Sequence, residues 1–194
     1  MTTPTAPRPE SPLRESLIEA GLALLIEGGA EGLTLRRAAA RAGVSHAAPA
    51  HHFNGLSGLQ TAIAGRAFAL FTAAMLRRRD AAPDRPWPRL LAICEGYLDF
   101  AAERSGLFHI MFGCPDLDML DADLARESAR AYEVLREGCL PFAGGQPDPV
   151  LEAQVWTSVH GYALLKFAAP GALLAGEPPP PFATLLARIV PPDA

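Results

Sequence analysis

The chain of 194 residues carries 49% hydrophobic and 20% charged residues and a net charge of −4. That balance excludes an intrinsically disordered chain and leaves enough apolar mass to bury a core. Three widely spaced cysteines, Cys94, Cys114 and Cys139, form no CxxC pair; this argues against a zinc site or disulfide framework, fits a reducing cytosol and sets the expected location as cytoplasmic.

Residues 1–10, MTTPTAPRPE, are polar and proline-rich and read as a disordered tail, since they offer no apolar h-region for a signal peptide. Leu13, Leu17, Gly21, Leu24 and Leu25 then form one stripe, which predicts a helix from about Ser11 to Glu27, stopped by Gly28-Gly29. Thr34 is a natural N-cap for a short helix over Leu35 to Ala42, with Leu35, Ala38, Ala39 and Ala42 on its inner face. Gly43 supplies a tight turn, and Ser45 is expected to cap a third short helix ending near Phe53.

A long helix is predicted from Leu56 to the Arg77-Arg78-Arg79 end, where Pro83 and Pro86 interrupt the pattern. Further helices are expected over Trp87 to Arg104, Leu107 to Phe112, Asp121 to Glu137, Val150 to Ala168 and Phe182 to Val190. GEPPPP (176–181) reads as a stiff connector before the last of them. No period-2 run is long enough for a strand, so the fold class is all-α. About nine helices are arranged as an N-terminal three-helix domain, residues 11–55, and a C-terminal helical bundle, residues 56–194. The charge-free stretch Ala153 to Leu165 is too short to span a bilayer, and no membrane partner is expected.

Two short helices joined by a glycine turn, the second opened by a serine, form a helix-turn-helix whose second helix would enter the major groove of duplex DNA. The charge distribution supports that reading. Residues 1–79 hold nine Arg against five Glu, residues 80–194 hold eight basic and sixteen acidic groups, and Gly32 through Arg79 carries seven Arg and no acid. A segment approaching polyphosphate gains from cations and loses from carboxylates. The DNA-contacting set is Thr34, Arg36 and Arg37 on the first helix and Ser45, His46, Ala47, Ala48, His51 and His52 on the second. His46 offers a donor or acceptor to a base edge, Ala47 or Ala48 a methyl for thymine, and His51 or His52 a phosphate contact. A metal site at His51-His52 is the weaker alternative, because adjacent helical side chains diverge and His46 lies five residues back, not four. No metal and no cofactor are expected.

TLRRAAARAGVSHAAPAHHF (34–53) makes the stretch from Ser11 to about Leu59 resemble the DNA-binding region of the TetR (tetracycline-repressor) family, through Thr34, Ala39, Ala42-Gly43-Val44-Ser45 and His52-Phe53. The C-terminal half resembles the branch of that family named for a Trp-His-Gly motif, carried here by Trp156, His160 and Gly161, with GLFHIMFG (106–113) preceding it. Ala50 stands where the family usually has Tyr, and Leu56 where it often has Lys, so two phosphate contacts are missing.

The resemblance implies a repressor that binds operator DNA as a homodimer, with the helices from about 150 to 190 supplying most of the dimer interface. It also implies an effector cavity between the helices of the C-terminal domain. Phe71, Met75, Tyr97, Phe108, Met111, Phe112, Trp156 and His160 are the candidate lining, with Phe68 and Cys94 beside them. Each of these also fits plain core packing, since bundles need such stripes. Tyr97 and His160 are the expected polar contacts, and the acid-rich half of the chain favours a small, largely apolar, neutral or cationic effector. The alternative is a helical carrier or enzyme of the same fold that has lost DNA binding, which the departures at Ala50 and Leu56 permit. SVHG is no nucleophile elbow, because it lacks the G-x-S-x-G pattern and sits within a helix. An enzyme is therefore not expected. The cysteines read as packing residues.

Overall fold

The computed structural model describes residues 11–168 and 179–192, and among them all regular structure is helical. The expected tail over residues 1–10 and the first half of the 176–181 connector lie outside the described residues. Eight α-helices follow one another: α1 (Pro12–Gly28), α2 (Leu35–Arg41), α3 (Gly55–Ala81), α4 (Pro86–Glu103), α5 (Ser105–Gly113), α6 (Ala122–Cys139), α7 (Pro149–Ala163) and α8 (Phe182–Ile189). Short 3₁₀ turns cover Ala30–Gly32, Ala48–His51 and Leu140–Ala143, and α7 runs into a single π-helical turn over Leu164–Ala168.

Local chemistry accounts for most helix ends. The Ser11 hydroxyl accepts from the Arg14 N–H at 3.2 Å ahead of Pro12 at the first helical position, and the Thr34 hydroxyl accepts from the Arg37 N–H at 3.1 Å. Asp121 and Asp148 each accept two backbone N–H groups at the starts of α6 and α7. Gly43, at φ 70°, provides the left-handed residue after α2, so the Val44 N–H reaches the Ala39 carbonyl at 3.0 Å.

The third helix predicted from Ser45 to Phe53 is not an α-helix. Residues 45–47 form a turn, Ala48–His51 is one 3₁₀ turn, and Ser45 contributes its carbonyl, accepting from the Ala48 N–H at 3.0 Å. Pro49 explains the difference: it has no N–H to return to the preceding turn, and its ring disfavours α geometry at Ala48. Phe53, only 7% exposed, anchors the end of the turn, and α3 starts two residues later.

α3 is the centre of the molecule. It packs against α1 on one side, α4 and α6 along most of its length, and α5 in between, burying Leu59, Ile63, Ala67, Phe71 and Met75. By length and composition it could cross a membrane, but 61% of its apolar window is buried inside the fold, as a core helix requires. The expected boundary between residues 55 and 56 falls within its first turn.

α5 crosses α1 so closely that a Cβ on Gly106 would lie 2.2 Å from the Leu25 carbonyl oxygen. Backbone cannot yield there as a flexible side chain would, so Gly106→Ala is expected to destabilise the fold by about 1–3 kcal/mol, the usual cost of overpacking. The thermal midpoint, followed by circular dichroism, should fall by about 2–10 °C. An unchanged midpoint would mean that α1 and α5 separate at no cost.

Candidate DNA-binding face and effector cavity

At the N-terminal end, α2 and the turn after it present Thr34, Arg36, Arg37, Ser45, His46, Ala47 and His51 to solvent. Ala48 is half-buried. His52 is also half-buried and turns back to α1, with Nδ1 3.4 Å from the Ser11 Oγ. The Thr34 hydroxyl is engaged as the α2 cap. Leu56 packs against the core, and Ala50 is exposed.

The acid-free window is acid-free only in sequence. Arg41 forms a two-pronged pair with Glu27 of α1, each contact 2.6 Å. Arg66 binds Glu15 and Glu19. Arg78 binds Asp99 and Glu95, and Arg79 binds Asp80 and Glu137. The carboxyl of Glu27 is held below its ordinary range by its hydrogen bonds from Arg41. Among the described residues, Arg36, Arg37 and Arg77 take part in no ion pair. Arg77 lies 22 residues along α3 from Gly55, about 33 Å at the α-helical rise. Of the seven arginines in the window, Arg36 and Arg37 are therefore the ones exposed at the motif without an acidic partner.

The C-terminal helices line a partly open cavity of about 510 Å³, within the range of small-molecule sites. Six of the eight candidates line it: Phe71 and Met75 from α3, Tyr97 from α4, Met111 and Phe112 from α5, and Trp156 from α7. Phe68 lines it as well. Phe108 and His160 do not; they form a layer behind Tyr97, with ring centres 5.6 Å apart.

Tyr97 is 3% exposed, and burial pushes its phenol well above the ordinary range, whereas burial presses the His160 imidazole downward. The Tyr97 hydroxyl and the His160 Nδ1 lie 2.6 Å apart and form a hydrogen bond. His160 positions Tyr97 and does not itself reach the cavity. Burial also drives the Cys139 thiol up to about 12 and that of Cys94 upward, which keeps both protonated and suits packing residues.

The far wall of the cavity escaped the sequence reading. α6 contributes Ser128, Ala131, Tyr132 and Leu135, and the loop before it contributes Met119. The α6 residues recur at helical spacing on one face between charged neighbours, a pattern that periodicity alone could have exposed; Met119 carries no such signal. Behind this wall the Tyr132 hydroxyl donates to Glu152 Oε2 at 2.5 Å, and its ring meets that of Trp156 edge-on, 5.9 Å between centres.

Comparison with known proteins bears on both halves. Residues 17–60 match the pattern of bacterial regulatory proteins of the tetR family, and residues 90–189 match that of the tetracyclin repressor-like C-terminal domain. No curated protein matches the chain. Among solved structures, a protein of unknown function from Rhodococcus sp. RHA1 is 26% identical, with TM-score 0.73 over 95% of this chain and 96% of that one. A TetR family transcription regulator from Marinobacter aquaeolei VT8 is 17% identical, with TM-score 0.61 over 91% and 92%. The fatty acid degradation regulator FadR from Bacillus halodurans is 13% identical, with TM-score 0.63 over 94% of each chain. Because the two family patterns together span the DNA-binding motif and the cavity-bearing bundle, this chain belongs to the TetR family and is a DNA-binding transcriptional regulator.

Proposed function

We propose that the protein is a cytoplasmic, non-enzymatic repressor that binds operator DNA as a homodimer and leaves it when a small, largely apolar effector occupies the cavity. Residues 11–55 read the DNA, and residues 56–194 bind the effector and dimerise. The observation that carries this reading is the run of α3. It begins two residues after Phe53, which closes the DNA-facing turn, and its later turns supply Phe68, Phe71 and Met75 to the cavity wall. One continuous helix thus touches both sites. An effector that prefers one tilt of this helix would bias the spacing of two recognition turns across a dimer, and coupling of about 1–3 kcal/mol is enough for regulation.

The dimer surface is argued from α7. Val150, Ala153, Gln154 and Thr157 are exposed and share one outward face with the half-exposed Gly161, whereas Glu152, Val155, Val159 and Tyr162 point inward. The outward face holds apolar, small or uncharged polar residues and no charge, as a surface meant to meet a second copy would. The π-turn beyond it adds exposed Leu164 and Leu165.

Phosphate contact should rest on Arg36 and Arg37. Arg36→Ala and Arg37→Ala are each expected to weaken binding to all duplex sequences and to lower the slope of log affinity against log salt by about 1. Arg41→Ala, whose arginine is held by Glu27, should leave that slope unchanged. Equal slopes for all three variants would remove Arg36 and Arg37 from the interface, and a wild-type protein that ignores duplex DNA at low salt would favour a carrier of the same fold.

Thr157→Arg, at the middle of the outward α7 face, should leave helix content and the thermal transition of the protomer intact. Light scattering at micromolar concentration should then report a monomer that no longer binds a palindromic operator. A dimeric variant would place the two-fold contact elsewhere.

A further inference from the structure

Glu152 is the one buried carboxyl among the described residues, 2% exposed within the inward face of α7. Its Oε2 accepts from the Tyr132 hydroxyl, but its Oε1 has no hydrogen-bond partner, and no cationic side chain pairs with it among the described residues. Buried carboxyl oxygens are ordinarily satisfied, because leaving one without a donor forfeits the hydration it had in water. Such a group awaits a donor or a counter-charge.

Its position indicates where that partner would come from. Glu152 sits one helical turn before Trp156 on α7, and Tyr132 and Trp156 both line the cavity. The carboxyl is therefore one hydrogen bond behind the cavity wall, separated from it by the Tyr132 phenol, a side chain 37% exposed and able to swing. Among the described residues no charged side chain lines the cavity, so none of them competes for the carboxyl from within it, and the wall supplies six aromatic rings. Aromatic faces and a buried carboxylate favour the same class of guest, a positive charge carried on an apolar body.

We propose that the cavity binds an organic cation, and that Glu152 is the specificity-determining counter-charge, reached as the Tyr132 hydroxyl gives way. The inference rests on the cavity being the effector site and narrows the effector from any small apolar molecule to a cationic one. Glu152 selects by charge, the rings of Tyr97, Phe112 and Trp156 pack the apolar body, and displacement of Tyr132 carries occupancy to α6.

The test uses the full-length protein and two probes of similar ring content, tetraphenylphosphonium as a permanent cation and triphenylphosphine oxide as a neutral analogue, titrated by calorimetry at constant low salt. Wild type should bind the cation about ten- to a hundredfold more tightly, the ratio that one charge-assisted contact provides. Glu152→Gln keeps an acceptor for Tyr132 and should lose the preference while binding the neutral probe as before. Tyr132→Phe keeps the ring and removes the carboxyl's donor among the described residues; it should tighten the cation severalfold relative to the neutral probe. A preference that survives in Glu152→Gln, or cation affinity that does not rise in Tyr132→Phe, overturns the proposal. If wild type binds both probes equally, the cavity stands as a ligand site and the cationic assignment falls. If it binds neither, both readings fall.

Discussion

The burial of α3 is the constraint on which the rest of the molecule depends. A helix of 27 residues whose apolar groups are spread around its circumference cannot remain in water. It must be surrounded, and α1, α4, α5 and α6 are the elements that surround it. Because the same helix starts beside the Ala48–His51 turn and ends far from it, covering it fuses the two ends into one packed object. The close crossing of α5 over α1 at Gly106 tightens the junction where the N-terminal helices meet the bundle. A displacement of α3 within the bundle would thus be felt at Phe53 and the turn it anchors.

Electrostatics are divided by the same packing. Arg41, Arg66, Arg78 and Arg79 are spent on carboxylates of other segments, so they link helices and are poorly placed to meet phosphate. Exposed pairs of this kind add little stability each, but they neutralise cations that would otherwise spread the basic surface along the whole of α3. At the motif the basic character that survives is that of Arg36 and Arg37, on the short helix preceding the exposed Ser45–Ala47 segment. That concentration suits a small reading head more than a broad basic slab.

Two polar side-chain pairs between helices of the bundle differ in kind. Tyr97 and His160 satisfy one another, and burial suppresses the charge of each, so this pair orders the apolar wall without placing a charge there. Tyr132 and Glu152 do not close: one carboxyl oxygen remains unmet. A complete pair stiffens a wall, whereas an incomplete one leaves part of the wall responsive to what enters. Along α7, Glu152 lies one turn before Trp156 and His160 one turn after it.

Much of this was legible in the sequence. Apolar spacing, Ser11, Thr34, Asp121 and the glycine and proline stops located the helices to within a few residues, since those signals act over a single turn and need no tertiary partner. The same local chemistry placed Gly43 in its turn and Arg36 and Arg37 on the exposed side of α2. The short helix expected from Ser45 to Phe53 is instead reduced by Pro49 to one 3₁₀ turn. Six of the eight cavity candidates were recognised because aromatic stripes mark an interior whether it is filled or hollow. What the chain order could not reveal was which side chains meet across helices. The pairing of Arg66 with Glu15 and Glu19 spans about fifty residues, His160 lies behind Tyr97 and not beside it in the wall, and Glu152 of α7 meets Tyr132 of α6. Those outcomes depend on distances between helices that are remote in sequence, and only the packing around α3 sets them.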